Sequence, residues 1–322
     1  MKMPWDLHLF QSLKMNRCWG SYLLDNEGLL LQETNFYPNK RLPMASTVKL
    51  LIAYVLLEKM YKDNSFALDT VVQLSNEDFC PGLPSNELDR HFFNSEDISV
   101  NKTIDELVTL MLTQSDNTAT DKLLSLIGGP TQVNARIKGL ELGNYCFTST
   151  MRQLLAEYYQ MDMTKTPENI AAVNNMLPHA FEMNPATEKR MADNAKDLCS
   201  PLFMINFMRM LVREANSGWD DERAKTACYM LEKMQGCKTG DALMRKGAQQ
   251  HSQTVEQIGN KTGSLGSILN DVGFVKLKNN NWIVYAFFSC CSKLPLLRRQ
   301  AIIAYECSEI INFQSCERGL RL

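Results

Sequence analysis

At 322 residues, with 45% hydrophobic and 22% charged side chains, the chain is long enough to bury a sizeable core in one large domain or two closely joined ones. A formal net charge of -2, with no long basic run, excludes a global field that would gather nucleic acid or anionic lipid. The longest apolar run, residues 50–57, is far too short to span a bilayer, so neither nucleic acid nor a membrane is expected as a partner.

Residues 19–24 and 29–32 flank Asp25-Asn26-Glu27-Gly28 and read as two strands joined by a turn. Residues 50–57 follow as a helix too apolar for a surface position and suited to a buried one. The polar stretch 75–100, with Pro81-Gly82-Leu83-Pro84, reads as a loop with little regular structure. Helical spacing returns in Ile104-Leu107-Val108-Met111-Leu112 and in Ala119-Leu123-Leu124-Leu126-Ile127. It recurs in Met151-Leu154-Leu155-Tyr158-Tyr159, in Leu202-Ile205-Met208-Leu211-Val212 and in Ala224-Ala227-Met230-Leu231-Met234. Between the last two groups and the one before them, residues 162–200 read as a long surface excursion rich in Pro, Asn and Thr. Residues 271–277 and 282–290 form a second pair of strands around Asn279-Asn280-Asn281, and residues 296–311 are a final helix. Strands at both ends with helices between them predict an α+β sandwich. One antiparallel sheet, built from the N- and C-terminal strands, packs on an inserted helical region, with a cleft at the junction. The expected organisation is a single catalytic domain over 1–322, with the sheet near 15–45 and 255–322 and the helices near 46–254.

The first twenty residues are interrupted by Asp6, His8, Lys14 and Arg17 and lack the apolar stretch of a signal peptide. A cytoplasmic location is favoured for the chain as given, and a periplasmic or secreted one if an export signal has been removed. Ten cysteines are scattered without Cys-x-x-Cys or Cys/His ligand spacing, a pattern that fits reduced buried thiols rather than a metal site. The four histidines stand in no triad motif, and His251, in Gln249-Gln250-His251-Ser252, reads as exposed. There is no Gly-x-Ser-x-Gly elbow and no Gly-rich phosphate loop after a strand.

Ser46-Thr47-Val48-Lys49 sits where a polar loop gives way to the buried helix, which places Ser46 in its first turn. Serine and lysine three apart on a helix share a face, so the amine can reach the hydroxyl. A first turn also offers free backbone N–H groups to an oxyanion. Burial would lower the lysine pKa and free a neutral amine to activate a weak nucleophile. The plain alternative is a helix cap with a snorkelling lysine, and roughly one Ser-x-x-Lys is expected by chance in a chain this size. Ser115-Asp116-Asn117 and Lys261-Thr262-Gly263 follow in order, each tripeptide expected only roughly 0.05 times by chance. Singly, Asn117 reads as a helix N-cap, Ser115 as a turn residue and Lys261 as a strand-edge charge.

Together the three phrases resemble the signature of class A β-lactamases and penicillin-binding proteins. Pro43-Met44-Ala45 before Ser46, Thr118-Ala119 after Asn117, and Gly240-Asp241-Ala242-Leu243-Met244-Arg245 extend the resemblance over nearly the whole chain. It implies that Ser46 attacks a carbonyl carbon, Lys49 helps deprotonate it, and Ser115 relays a proton to the departing nitrogen. Asn117 would orient Lys49 and hold the substrate's amide, Lys261 would supply positive charge, and Thr262 would bind a carboxylate. Gly263 completes the strand motif, and the backbone N–H groups of Ser46 and Ser264 would form the oxyanion hole. The implied partner is a small-molecule acyl substrate, with no metal and no organic cofactor.

The family also places a glutamate, in a Glu-x-x-Leu-Asn phrase some 35 residues past Ser-Asp-Asn, to drive the water that releases the acyl-enzyme. Here the region reads Thr148-Ser149-Thr150-Met151-Arg152-Gln153-Leu154-Leu155, with no such phrase. Glu157, Glu168, Glu182 and Glu188 remain as candidates for that base, or none fills the role. Three functions stay open: β-lactam hydrolysis, a penicillin-binding, esterase or amidase activity with slow deacylation, and a binding cleft without catalysis.

Overall fold

The computed structural model describes residues 15–315, except 64–65, 83–85, 95–98, 165, 177–181, 183 and 194–195. The start of the chain through Lys14, together with Leu83-Pro84, His179 and Cys316, therefore lies outside the described residues. Ten strands are described: β1 Asn16–Leu24, β2 Leu30–Phe36, β3 Leu42–Pro43, β4 Val71–Ser75 and β5 Ser99–Thr103, then β6 Tyr145–Cys146, β7 Leu198–Cys199, β8 Val255–Leu265, β9 Ile268–Leu277 and β10 Trp282–Cys290.

Five of these strands form an antiparallel sheet in the order β2-β1-β10-β9-β8, so the two ends of the chain meet where Asn16 pairs with Cys290 and Leu24 with Trp282. This is the α+β architecture expected from terminal strands. All nine residues of β10 are buried, because the sheet is covered on both faces. Val284, Ala286 and Phe288 pack with the helices Lys49–Asp63, Pro201–Ala215 and Glu222–Gln235, while Ile283, Tyr285 and Phe287 pack with Leu296–Ser315. The strand period of two sorts alternate residues onto these two cores. The helix Lys49–Asp63 has no polar face in its first half, Leu50 through Leu57 being buried without a break, as a helix enclosed on all sides requires.

Two expectations are corrected. The stretch 75–100 is not a bare loop: β4 pairs antiparallel with β5, and Glu87–Asn94 is a helix whose Glu87 carboxylate takes a 2.7 Å hydrogen bond from Lys102 Nζ. Its strands pair across more than twenty residues, which local turn chemistry does not reveal. The stretch 162–200 is not merely a surface excursion either, since it contains helices Pro167–Met176 and Pro185–Asp193 and buries Thr187 and Glu188.

Glu188 explains why that segment is held. Its carboxylate accepts from Ser267 N at 2.7 Å, from Ser267 Oγ, and from Cys291 N at 2.9 Å, tying the helix to the β8–β9 turn and the end of β10. Glu188→Ala leaves the buried Ser267 N–H and the partly buried Cys291 N–H without this acceptor, the buried one alone costing about 1–3 kcal/mol. A clear fall in melting temperature is expected, with the lifetime of any acyl-enzyme unchanged; a selective change in that lifetime would make Glu188 a deacylation base instead.

Candidate active site

The chain reaches Ser46 through a constrained approach. Met44 N donates to Asp197 O at 2.9 Å, and the buried Asn270 amide donates to Pro43 O at 2.8 Å and Met44 O at 3.0 Å. These bonds hold Ala45 in the left-handed region at φ 45°, a conformation that costs a residue bearing Cβ about 1–2 kcal/mol. Ser46 follows within the 3-10 turn Ala45–Val48, which runs directly into the helix starting at Lys49. The expected first helical turn is thus a tighter 3-10 turn. β8 approaches it closely, and a Cβ on Gly263 would lie 2.7 Å from Met44 O and 3.2 Å from Ser46 N. Only glycine fits this crossing, which brings Lys261, Thr262 and Ser264 beside the serine.

Lys49 is fully buried and its ammonium donates to Asn117 Oδ1 at 2.7 Å, to Ser115 O at 2.7 Å and to Ser115 Oγ at 3.2 Å. Lys261, also fully buried, donates to Ser115 Oγ at 2.9 Å and to Thr262 O at 2.8 Å. Lys261 is therefore no exposed strand-edge charge, and two lysines meet at one serine hydroxyl. Ser115 can present both its carbonyl and its hydroxyl inward because it takes the left-handed conformation, φ 61°, just after the π-helical turn Leu110–Gln114. The N-cap of the next helix is Asp116, whose carboxylate accepts from Ala119 N at 2.8 Å, so Asn117 is free of that duty. Asn117 Nδ2 instead donates to Pro81 O at 2.7 Å.

Burial first, and the positive charge of Lys261 second, lower the Lys49 pKa to about 7 against the opposing Asp116 carboxylate. Burial likewise brings Lys261 to about 8, and lifts Asp116 to about 6. Near neutral pH, Lys49 therefore carries a substantial fraction of neutral amine, which an exposed lysine does not.

Ser46, Ser115, Asn117, Thr262 and Ser264 line one cleft with Pro81, Gly82, Asn86 and Thr239. No aspartate or glutamate is among its described lining residues. Of the four glutamates considered, Glu168 and Glu182 are exposed, Glu157 is half-buried, and Glu188 is bound to the sheet as described. The helix Met151–Tyr159 forms as its spacing predicts, but only Met151, Leu154 and Tyr158 are buried in the body, while Leu155 and Tyr159 border the cleft.

Three neighbours of the site gave little sequence signal. Thr239 Oγ1 lies 2.6 Å from Thr262 Oγ1, on a second Lys-Thr-Gly phrase whose Lys238 is exposed, so burial rather than the motif separates the two phrases. Asn270 looks like any polar strand residue until its bonds to the Ser46 approach are seen. Asp89 is fully buried beside Gly82, where a Cβ would meet its Oδ2 at 2.7 Å and Asn117 Nδ2 at 3.5 Å. Burial, reinforced by the Asp116 charge, pushes its carboxyl well above the usual carboxylate range. In the sequence, Asp89 passes for an ordinary acid of the polar stretch 75–100. His251, expected to be exposed, is half-buried, with Nε2 2.8 Å from Ser308 Oγ. Among the described residues, no group of three or more His, Cys, Asp or Glu side chains could hold a metal ion, and no helix is long and apolar enough to cross a membrane.

Comparison with known proteins agrees with this geometry. The family described as the β-lactamase enzyme family matches residues 30–306. A β-lactamase of Bacillus subtilis (strain 168) is 26% identical over 255 residues, covering 79% of this chain and 66% of that protein. A β-lactamase of Bacteroides uniformis is 31% identical over 108 residues, covering 34% of this chain and 35% of its own length. These alignments thus span less than two thirds of either relative. Among solved structures, an ancestral (GNCA) class A β-lactamase superposes with a TM-score of 0.68 at 21% identity, covering 95% of this chain and 96% of that one. The TLA-3 extended-spectrum β-lactamase reaches 0.72 at 17% identity, covering 95% of each chain. A β-lactamase from Xanthomonas campestris pv. campestris reaches 0.68 at 18% identity, covering 94% of each. At these identities the structural likeness concerns the fold. With the family match extending from β2 into the last helix, the chain belongs to the β-lactamase enzyme family, and its fold is that of the class A β-lactamases.

Proposed function

We propose that this protein is an acyl-serine hydrolase that opens a β-lactam amide at Ser46 and releases the product slowly. The observation that carries the reading is the convergence of Lys49 and Lys261 on Ser115, directly beside the Ser46 turn. In the proposed reaction, Ser46 Oγ bonds to the lactam carbonyl carbon while its proton passes to the neutral Lys49 amine. Ser115 then hands its proton to the ring nitrogen as the C–N bond breaks and takes one back from the Lys49 ammonium. Asn117 and Thr262 orient the substrate, and the backbone N–H groups of Ser46 and Ser264 receive the oxyanion. The absence of a carboxylate from the described cleft lining argues for slow water activation. The same observation favours a second reading, a penicillin-binding, esterase or amidase activity on a non-lactam acyl group.

Nitrocefin hydrolysis measured beside labelling by a fluorescent penicillin tests the proposal. One label per chain is expected, with turnover on the order of 0.01 per second, about a thousandfold below a typical enzyme because general-base catalysis of deacylation is missing. Turnover near 10 per second would place an efficient base in the site and overturn slow release. Labelling without any hydrolysis would move the reaction to the non-lactam class.

A further inference from the structure

The cleft has two chemically different halves. Ser46, Ser115, Asn117 and Thr262 form the polar half, while Leu155 and Tyr159 from the helix Met151–Tyr159, with Met163, Val173 and Leu265, line the other. Leu155 and Tyr159 are four apart, so they occupy one helix face, and that face borders the cleft while its base packs against the core. Val173 comes from the neighbouring helix Pro167–Met176, and Leu265 ends β8, two residues after Gly263. The apolar half is therefore continuous with the nucleophile, and it carries no charged group among its described residues.

We propose that this half is an acyl subsite, and that the preferred substrate carries an unbranched apolar acyl chain of about six to ten carbons on the carbonyl attacked by Ser46. The inference rests on the acyl-serine reading in its second, non-lactam form and adds its substrate class. A carbonyl at Ser46 directs its acyl chain along Leu265 toward Leu155, Tyr159 and Val173, where each fully buried methylene contributes about fourfold to the rate constant for capture. With a p-nitrophenyl ester as probe, the Ser46 Oγ–C bond forms and the C–O bond to the aryl group breaks. The serine proton passes to Lys49, p-nitrophenolate leaves, and the acyl group stays on Ser46 until water replaces it.

The test compares p-nitrophenyl acetate, butyrate and octanoate with the full chain, reading the nitrophenolate burst and the mass of the Ser46 peptide, with Ser46→Ala as background. The second-order acylation constant is expected to rise at least 50-fold from acetate to octanoate. Leu155→Asn and Val173→Asn should each lower the octanoate constant tenfold or more and change the acetate constant less than threefold, while Leu155→Met keeps the wild-type ratio. The acetate constant serves as the folding control within each variant. Equal constants along the series, with Ser46 labelled throughout, overturn the subsite and leave the acyl-serine reading standing. Failure of every ester and of penicillin to label Ser46 overturns both.

Discussion

Ser46→Ala is expected to abolish covalent capture of penicillin, lowering acylation by a factor on the order of 10⁴ to 10⁶. The magnitude follows from the way the site acts as a unit: Lys49, Ser115 and Lys261 are linked through one hydroxyl, and none of them can substitute for the attacking oxygen. Folding should be unaffected. Ser46 is half-buried, and its neighbours Ala45, Thr47 and Val48 carry the packing of the turn, so the melting temperature is expected to stay within about 2 °C of wild type. Intact-mass analysis with thermal melts checks both halves. A persistent adduct at another residue would remove Ser46 from the mechanism.

Lys49→Met is expected to slow acylation by about 10² to 10⁴, the range for loss of a positioned general base. Methionine fills the buried channel without a proton acceptor, so packing at the head of the helix Lys49–Asp63 is largely kept. The pH profile provides a sharper check. The neutral amine is the active form, so the wild-type acylation rate should rise with pH through about 7, where burial and the Lys261 charge set the Lys49 pKa. Lys261→Met removes the second of these causes and therefore raises the Lys49 pKa, moving the rise to higher pH. A profile that stays in place in Lys261→Met would mean that the two ammonium groups do not interact across Ser115.

The order of the three motifs and the two pairs of terminal strands carried most of the architecture, because period-two alternation and turn residues are local signals. The buried helix after Ser46 was legible for the same reason, since eight apolar residues in succession admit few other environments. What the sequence did not convey depends on distant partners. The left-handed Ala45 is set by Asn270 and Asp197, which stand more than 150 positions away. The β4–β5 pair and the helix Glu87–Asn94 hide in a polar stretch whose order comes from contacts with the body. Glu188 illustrates the limit most clearly: among four candidate glutamates, only its three hydrogen bonds reveal that it fastens the β8–β9 turn. Leu155 and Tyr159 share the apolar pattern of their helix with residues that enter the core, and periodicity alone does not tell a core face from a cleft wall.

The most direct measurement of the central claim is the mass of the intact protein, followed from seconds to hours after mixing with benzylpenicillin and then mapped by peptide. One adduct of the full mass of the antibiotic is expected on Ser46, formed within seconds to minutes and decaying over minutes or longer. No adduct at any time, with the antibiotic unconsumed, would contradict the claim.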